Sequence, residues 1–540
     1  MPEMHFDVRW PDGKTEHCYS PSLVIEEYLA VGEAYGVDDF VSRVRTALNI
    51  ASERVRAKYG FACSSALDQL RSIEATAEAL PVTLKDGSVT VLGFQKAAPR
   101  GAGTAAAPVK PEHHSVIVVG GGQAGLAVSY TLEQRGIEHV VLEAKRVAHS
   151  WREKRWDSFC LVTPNWQCTL PGYPYAGPEP RGFMLKDEIV EYVEGYARAH
   201  ALPVREGVSV ESLRAHVASP KNPGRFALAT SAGEMTADQV VVATGSYHVP
   251  VIPALSQEFP KRVQHLHSAD YKNPGALPEG AVLVVGTGQS GCQIAEDLHL
   301  AGRKVHLAVG PAPRCARVYR GKDVTEWLNL MGYYDIPYDR HPDRDQVRDK
   351  TNHYVTGRDG GRDIDLRKFA LEGMRLYGPL AGASGARARF APELRRNLDA
   401  ADDVYRSINR SIDAFIEKNA LEAPFEAPYT PVWEPDEEPL ELDLDAANVS
   451  VVLWCVGFRS DFGWVRFPVC DERGHVRHER GVTEIQGLYF IGLPWLYSWG
   501  SGRFSGVGRD AAYLGEAIAT LADVSSSRSA RLAAEAAFSE

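Results

Sequence analysis

Short apolar runs rich in β-branched residues recur along the chain, and each is cut short by glycine. Val116-Ile117-Val118-Val119 has the length and composition of a buried parallel strand and breaks at Gly120. A helical pattern follows through Leu126 and Tyr130, stops near Gly136, and gives way to a second strand, His139 to Leu142. The same succession returns later: a strand at Ala281 to Val285, a break at Gly286, a helix stopping at Gly302, and a strand at Val305 to Val309. Two further buried strands are expected, one within Gln239 to Pro253 that ends in Ala243-Thr244-Gly245 and one at Val451 to Gly457, and residues 487–518 read as strand, aromatic and glycine-rich loop, then helix. Between these units, Lys186 to His200 has the spacing of an amphipathic helix, and the alternating segments Val208 to Leu213 and Phe226 to Thr230 suit a small antiparallel sheet. Ahead of all this, Met4 to Trp10 alternates as a strand and turns at Pro11-Asp12-Gly13. Helices are expected at Asp39 to Lys58 and Ala66 to Leu80, and a hairpin at Val82 to Phe94 around Asp86-Gly87.

The glycines at the two strand breaks carry chemistry. Gly120, Gly122 and Gly125 form G-x-G-x-x-G, and Gly286, Gly288 and Gly291 repeat it. In this arrangement the first glycine makes the tight turn, the second lets backbone approach a pyrophosphate, and the third lets the helix pack on the strand. The helix N-terminus then faces the phosphates, so Gln123 and Ala124 in the first motif and Gln289 and Ser290 in the second join the expected contacts. The first unit ends in Glu143, where an acid would bind a ribose hydroxyl. The second ends without an acid and is followed by Arg314, Arg317 and Arg320, which would suit a 2′-phosphate and hence NADPH. The fold class is α/β, with two Rossmann-like dinucleotide-binding domains and a small N-terminal α+β domain.

Composition removes several alternatives. A chain of 540 residues with 44% hydrophobic and 24% charged residues is an ordinary globular protein with room for three or four domains. The net charge of -11 argues against a nucleic-acid partner. The amino terminus lacks a basic segment followed by an apolar one, and the apolar runs are too short to span a bilayer, so a cytoplasmic location without membrane partner is expected. The eight cysteines show no C-x-x-C, which speaks against a zinc ribbon or a redox pair, and no metal site is expected. Residues 97–114, AAPRGAGTAAAPVKPEHH, read as a linker joining two proteins into one chain.

Both parts resemble known families. Residues 1–96 resemble a small stand-alone family of nitrogen-starvation-response proteins found beside flavoproteins in nitrilase-associated bacterial gene clusters. The motifs are RWPDG (9–13), CYSPSLVI (18–25) and RVRAKYGFACSSALDQL (54–70). Within them, Cys63-Ser64-Ser65 at a helix start reads as an activated thiol or as a buried cysteine beside a capping serine. From about 113 to 522 the chain resembles the group B, flavin-containing-monooxygenase-like flavoproteins. That likeness rests on GGGQAGL (120–126), VVVATGSYHVPVIP (240–253), LHSADYKNP (266–274), VVGTGQSGCQIAEDL (284–298), WCVGFRSDF (454–462) and GLYFIGLP (487–494). Two features depart from the family: its Phe-x-Gly-x-x-x-His signature is reduced to Phe259, Lys261 and His265, or in another register to His267, and the Ala-Thr-Gly of its late strand is Cys455-Val456-Gly457.

The resemblance implies FAD and NADPH as cofactors and O2 with a small molecule as substrates. NADPH would reduce FAD, and a flavin C4a-hydroperoxide would pass one oxygen atom to a substrate, a nitrogen-containing one judging by the amino-terminal unit. It implies an accessory domain at 1–96, a linker at 97–114, the first part of the FAD domain at 115–275, an NADPH domain with a polar insertion at 276–440, the return of the FAD domain at 441–523, and a poorly ordered tail at 524–540. Ala243, Thr244 and Gly245 would return the chain to the flavin, joined by Trp151, Val210, Gly457, Gly492 and the helix start at Gly506 and Asp510. Asn165, His248 and His267 are the catalytic candidates. A flavin-dependent NADPH oxidase or reductase and a Baeyer-Villiger oxygenase remain as alternatives. Residues 1–96 could serve as a docking or regulatory module for a protein partner, and the oligomeric state is left open.

Overall fold

The structure is a computed structural model that describes residues 4–59, 69–70, 73–74, 76–77, 80–81, 84–96, 111–217 and 224–537. Cys63-Ser64-Ser65, most of the expected helix at 66–80 and most of the linker lie outside the described residues. The chain divides into two compact units, Met1–Val109 and Lys110–Glu540.

In the first unit an antiparallel sheet takes the order Thr15–Ser20, Met4–Arg9, Ser88–Lys96, Ala34–Gly36. Met4, Phe6 and Val8 alternate into the interior, as a half-buried strand requires, and meet Phe40, Val44, Ala47 and Leu48 of the helix Val37–Tyr59. The expected hairpin at Val82 to Phe94 is instead a turn followed by one long strand, which pairs with Met4–Arg9. Pairing with a distant strand won because both inward-facing rows bury against the same helix.

The second unit is built on two sheets. In the larger, the strands run Val210–Ala215, Phe226–Thr230, Gly233–Val242, Glu112–Val119, His139–Glu143, Val204–Glu206. Gly233–Val242 is shared. Its first half pairs antiparallel with Phe226–Thr230, while its second half runs parallel to Leu488–Phe490 on that edge and to Glu112–Val119 on the other. The two segments expected as a separate antiparallel sheet therefore extend the large one. The strand expected to end in Ala243-Thr244-Gly245 ends at Val242, and Val249–Pro250 pairs separately with Phe458–Arg459.

The second sheet is fully parallel, in the order Gln264–His267, Val449–Trp454, Ala281–Val285, Val305–Ala308, Arg375–Tyr377. Two expected boundaries move with it. Gln264–His267 belongs here although it precedes 276, and Val449–Trp454 belongs here although it follows 440. The return to the first sheet comes only at Leu488–Phe490. All-apolar strands look alike in sequence, and only their partners tell the two sheets apart. The polar insertion also has a core: Leu394, Leu398, Ala401, Tyr405, Ile412 and Ile416 form one buried stripe on the helix Leu394–Lys418. The last helix, Val507–Ala537, continues through the segment expected as a tail.

One buried histidine of the second sheet makes stability depend on pH. His306 is 8% exposed, its Nδ1 lies 2.9 Å from the Tyr377 hydroxyl, and burial pushes its pKa down to about 4 from 6.5. Between those values the unfolded chain binds a proton that the folded chain refuses, so this stabilisation is fully present above 6.5 and is lost as the pH falls. Urea midpoints should therefore drop between about pH 7 and about pH 5, and His306→Gln should make that drop shallower.

Candidate functional site

Each glycine motif opens onto its own cavity. At the first, the chain leaves Glu112–Val119, turns at Gly120 with φ +115°, and enters the helix Gln123–Glu133 at Gly122. A Cβ on Gly125 would overlap the Gly120 carbonyl oxygen, so only glycine lets the helix sit this close to the turn. Gly122, by contrast, faces open space, and no side chain caps the helix. Free N–H groups aimed at a cavity form a phosphate cradle. The second motif repeats this geometry. A Cβ on Gly291 would overlap the Gly286 carbonyl oxygen, and nothing nearer than Thr351, 3.6 Å away, crowds Gly288.

The first cavity, of about 620 Å³, is lined by Gly120, Gly122, Gln123, Ala124, Glu143, Trp151, Val210, Ala243, Thr244, Gly245 and Gly492, all expected there. Glu143 accepts from the backbone N–H of Gly121 at 2.8 Å and of Lys145 at 2.9 Å, which fixes the carboxylate at the rim where a ribose would lie. The second cavity, of about 540 Å³, takes Gly288, Gln289, Ser290 and Gly457 from the expected set. Gln123, Trp151, Arg155, Tyr247, Asn352 and Arg503 line both, so the two cavities share a wall. Trp151 is held there by its indole N–H, which donates to Gln123 Oε1 at 3.2 Å, and by stacking on Phe504 at 5.7 Å.

Several expected site residues lie elsewhere, for reasons visible in their partners. Asn165 is 3% exposed and lines neither cavity. Its amide donates to the Glu179 carbonyl at 3.0 Å and accepts from the Met184 N–H at 2.8 Å, pinning a loop. His267 is fully buried; Nε2 meets the Gly457 carbonyl at 2.9 Å and Nδ1 accepts from the Ala269 N–H, so it supports the Gly457 turn from behind. His248 does line the first cavity, but Nδ1 accepts from the Asp461 N–H at 2.8 Å and its ring packs edge-on against Phe462. Burial lowers the pKa of both histidines, which keeps the rings neutral. Gly506 lies against Gly500 backbone, and Asp510 is 1% exposed beside Arg480, its carboxyl pKa raised by burial; neither lines a cavity.

The arginine triplet is also spent. Arg314 is 2% exposed, its Nε donates to Asp402 at 2.7 Å, and its guanidinium lies against the rings of both Tyr405 and Tyr429. Arg320 faces Asp413 at 3.6 Å. Arg317 reaches the second cavity, but it donates to Asp323 at 2.6 Å and to the Val162 carbonyl at 2.7 Å. Of the triplet expected at a 2′-phosphate, Arg314 and Arg320 line neither cavity, and Arg317, which lines the second, is paired with Asp323. Among the described residues, no group of three His, Cys, Asp or Glu side chains is placed to hold a metal ion, and no helix is long and apolar enough to cross a membrane.

Comparison with known proteins fits this geometry. Residues 5–94 match the family described as nitrogen starvation-induced protein NitG, and residues 117–329 match pyridine nucleotide-disulphide oxidoreductases. The uncharacterized CzcO-like oxidoreductase of Geobacillus kaustophilus is 32% identical over 402 residues, covering 74% of this chain and 96% of its own length. The chain belongs to the flavin-containing-monooxygenase-like oxidoreductases. Indole-3-pyruvate monooxygenase YUCCA6 of Arabidopsis thaliana is 33% identical over 203 residues, 36% of this chain and 48% of its own. The fold agrees as well: a flavin-containing monooxygenase from Stenotrophomonas maltophilia superposes with a TM-score of 0.52 at 19% identity, over 76% of this chain and 99% of that one.

In this flavin-containing-monooxygenase-like oxidoreductase, the wall residues missed from sequence include Arg155, Tyr247, Asn352 and Arg503. Among the described residues, no carboxylate pairs with Arg155 or Arg503. Arg155 donates to the Lys154 carbonyl and lies over Trp151 and Phe159, while Arg503 donates to Trp499 O and Asn352 Oδ1 and lies 3.7 Å from the centre of the Trp499 ring. Burial lowers the pKa of both. Both side chains are half-buried, and a bound anion would supply the missing counter-charge. Tyr247 and Arg503 fall within the stretches 240–253 and 487–518 singled out in the sequence, whereas nothing local marked Arg155 or Asn352.

Proposed function

We propose that this enzyme is an FAD- and NADPH-dependent monooxygenase that places one atom of O2 on a small molecule. The shared wall of the two cavities carries the reading, because it sets the groups held by the two cradles against each other. When bound, NADPH supplies hydride to FAD, and reduced FAD supplies the reaction with O2.

The residues of this chain do the rest. Gly120, Gly122 and the N-terminus of Gln123–Glu133 hold the FAD pyrophosphate, Glu143 holds its adenosine ribose, and Gly288, Gln289 and Ser290 hold that of NADPH. Open backbone at Gly122 and Gly288 fits both groups. Trp151, Phe504 and Trp499 exclude water at the wall, and Arg155 and Arg503 offset the negative charge of phosphates and reduced cofactor. Residues 1–96 serve as a docking or regulatory module.

Disulfide reduction finds little support in the cysteines. Burial pushes the Cys160 thiol up to about 11 and the Cys168 thiol up to about 12, away from the thiolate that exchange requires. Turnover with NADPH and ¹⁸O₂, followed by mass analysis of products from a panel of small thioethers, ketones and neutral nitrogen compounds, tests the oxygenation. A product heavier by one ¹⁸O atom is expected, and NADPH consumed only into peroxide across the panel would make the protein an oxidase.

A further inference from the structure

The second cavity extends past the second glycine motif into a chamber that the cofactor cradles do not account for. One side of it comes from the insertion: Val324, Thr325 and Leu328 of the helix Val324–Leu330, Tyr334, and Ile408 of Leu394–Lys418. Leu161, Val162 and Gln167 of the loop around 160–167 line the same cavity, as does Trp499, whose ring lies 4.4 Å from that of Tyr334.

Two properties of this lining select a ligand. First, no Asp or Glu lines the cavity, and of the four cations that do, Arg317 and Lys350 are already paired, with Asp323 and Asp343. The carboxylates behind it are taken. Asp323 accepts from Arg317, from the Thr325 N–H and from the Thr325 hydroxyl, and Asp363 accepts from the Arg317 N–H and the Tyr405 hydroxyl. An ammonium group that left water for this cavity would find no carboxylate to pair it. Second, Gln167 lines the cavity, is 4% exposed, and its Oε1 has no hydrogen-bond partner. A ligand donor that reached this acceptor would satisfy it.

Resting on the reading of this cavity as the place where substrate meets flavin, we propose that the chamber binds a small, uncharged, largely apolar molecule with one hydrogen-bonding group, anchored by Gln167, and rejects ammonium compounds. A nitrogen-containing substrate is then one whose nitrogen is uncharged at neutral pH, such as an amide, an oxime or a heteroaromatic ring.

Benzyl alcohol and benzylamine test this, since they match in shape and differ in charge. Each is titrated into the flavin-loaded full-length protein at neutral pH, and binding is read from the visible flavin spectrum together with tryptophan fluorescence. No turnover is needed, so oxygenation can fail in the isotope experiment while the chamber assignment stands. The alcohol should bind at least about tenfold more tightly than the amine. Gln167→Leu should weaken the alcohol about tenfold, and Ile408→Trp, whose flavin content checks its folding, should abolish its binding by filling the chamber. Equal or tighter binding of the amine, no binding of the alcohol, or alcohol binding untouched by both substitutions would overturn the proposal.

Discussion

Gly125→Ala should yield protein that has lost its flavin, whereas Gly291→Ala should keep the flavin and lose NADPH. The two positions are equivalent in their motifs, and in each the added Cβ would overlap the carbonyl oxygen of the motif's first glycine. Backbone atoms cannot step aside as a flexible side chain would. The helix must move away from the strand, and the N–H groups that face the phosphates move with it. At Gly125 the displaced helix is Gln123–Glu133, which carries the wall of the first cavity and also positions Gln123 against Trp151. Flavin content, read as the ratio of visible to ultraviolet absorbance, should fall to near zero. At Gly291 the displaced helix is Gln289–Leu300, which touches only the second cavity. Flavin content should stay near that of the parent, and KM for NADPH should rise by at least about a hundredfold. Flavin retained at full occupancy in Gly125→Ala would remove the first motif from the FAD site.

Asp402→Ala should cost the second unit about 3–5 kcal/mol, one of the largest losses available from a single side chain. Asp402 accepts from Arg314 Nε at 2.7 Å and from Arg367 Nε at 2.9 Å, and both arginines are 2% exposed or less. Removing the carboxylate leaves two guanidinium groups facing each other in the interior. Asp399 and Asp365 relieve only part of that: Asp399 reaches Arg367 at 2.6 Å and is half exposed, and Asp365 stands 3.7 Å from Arg314. The node joins the helix Leu394–Lys418 to the Leu366–Leu371 helix. Thermal and urea unfolding of the full chain should show the loss in the transition of the second unit. A shift below about 1 kcal/mol would mean that the pair is solvated.

Much of the fold was legible because local pattern and global role coincide at the glycine motifs. A short apolar run, a turn and a helix can be read from one stretch, and all three glycines of each motif do the same job in the structure. Strand ownership was not legible. Val449–Trp454 and Gly233–Val242 are both buried apolar runs, yet one pairs within the second sheet and the other divides its edge between two partners. The site followed the same rule. Residues contiguous with a motif, such as Gln123 and Glu143, were found. Arg503, Tyr247 and Asn352 were not, because they come together only when three distant loops meet at the wall. Arg314, Arg317 and Arg320 misled in the opposite direction. Sequence shows a cluster of positive charge after a strand, but the acids that absorb it, Asp402, Asp323 and Asp413, lie 6 to 93 positions away or in between.

The burial of the cysteines bears on how long such an enzyme survives its own chemistry. Six of the seven described cysteines are buried, and two of them, Cys315 and Cys455, line the second cavity. Burial raises the Cys315 thiol to about 12 and carries Cys455 and Cys292 higher still. Peroxide attacks the thiolate, not the thiol. Peroxide released by a turnover that missed its substrate would therefore meet sulfur that is slow to react with it, so the burial of Cys315 and Cys455 would protect the pocket from self-inflicted damage.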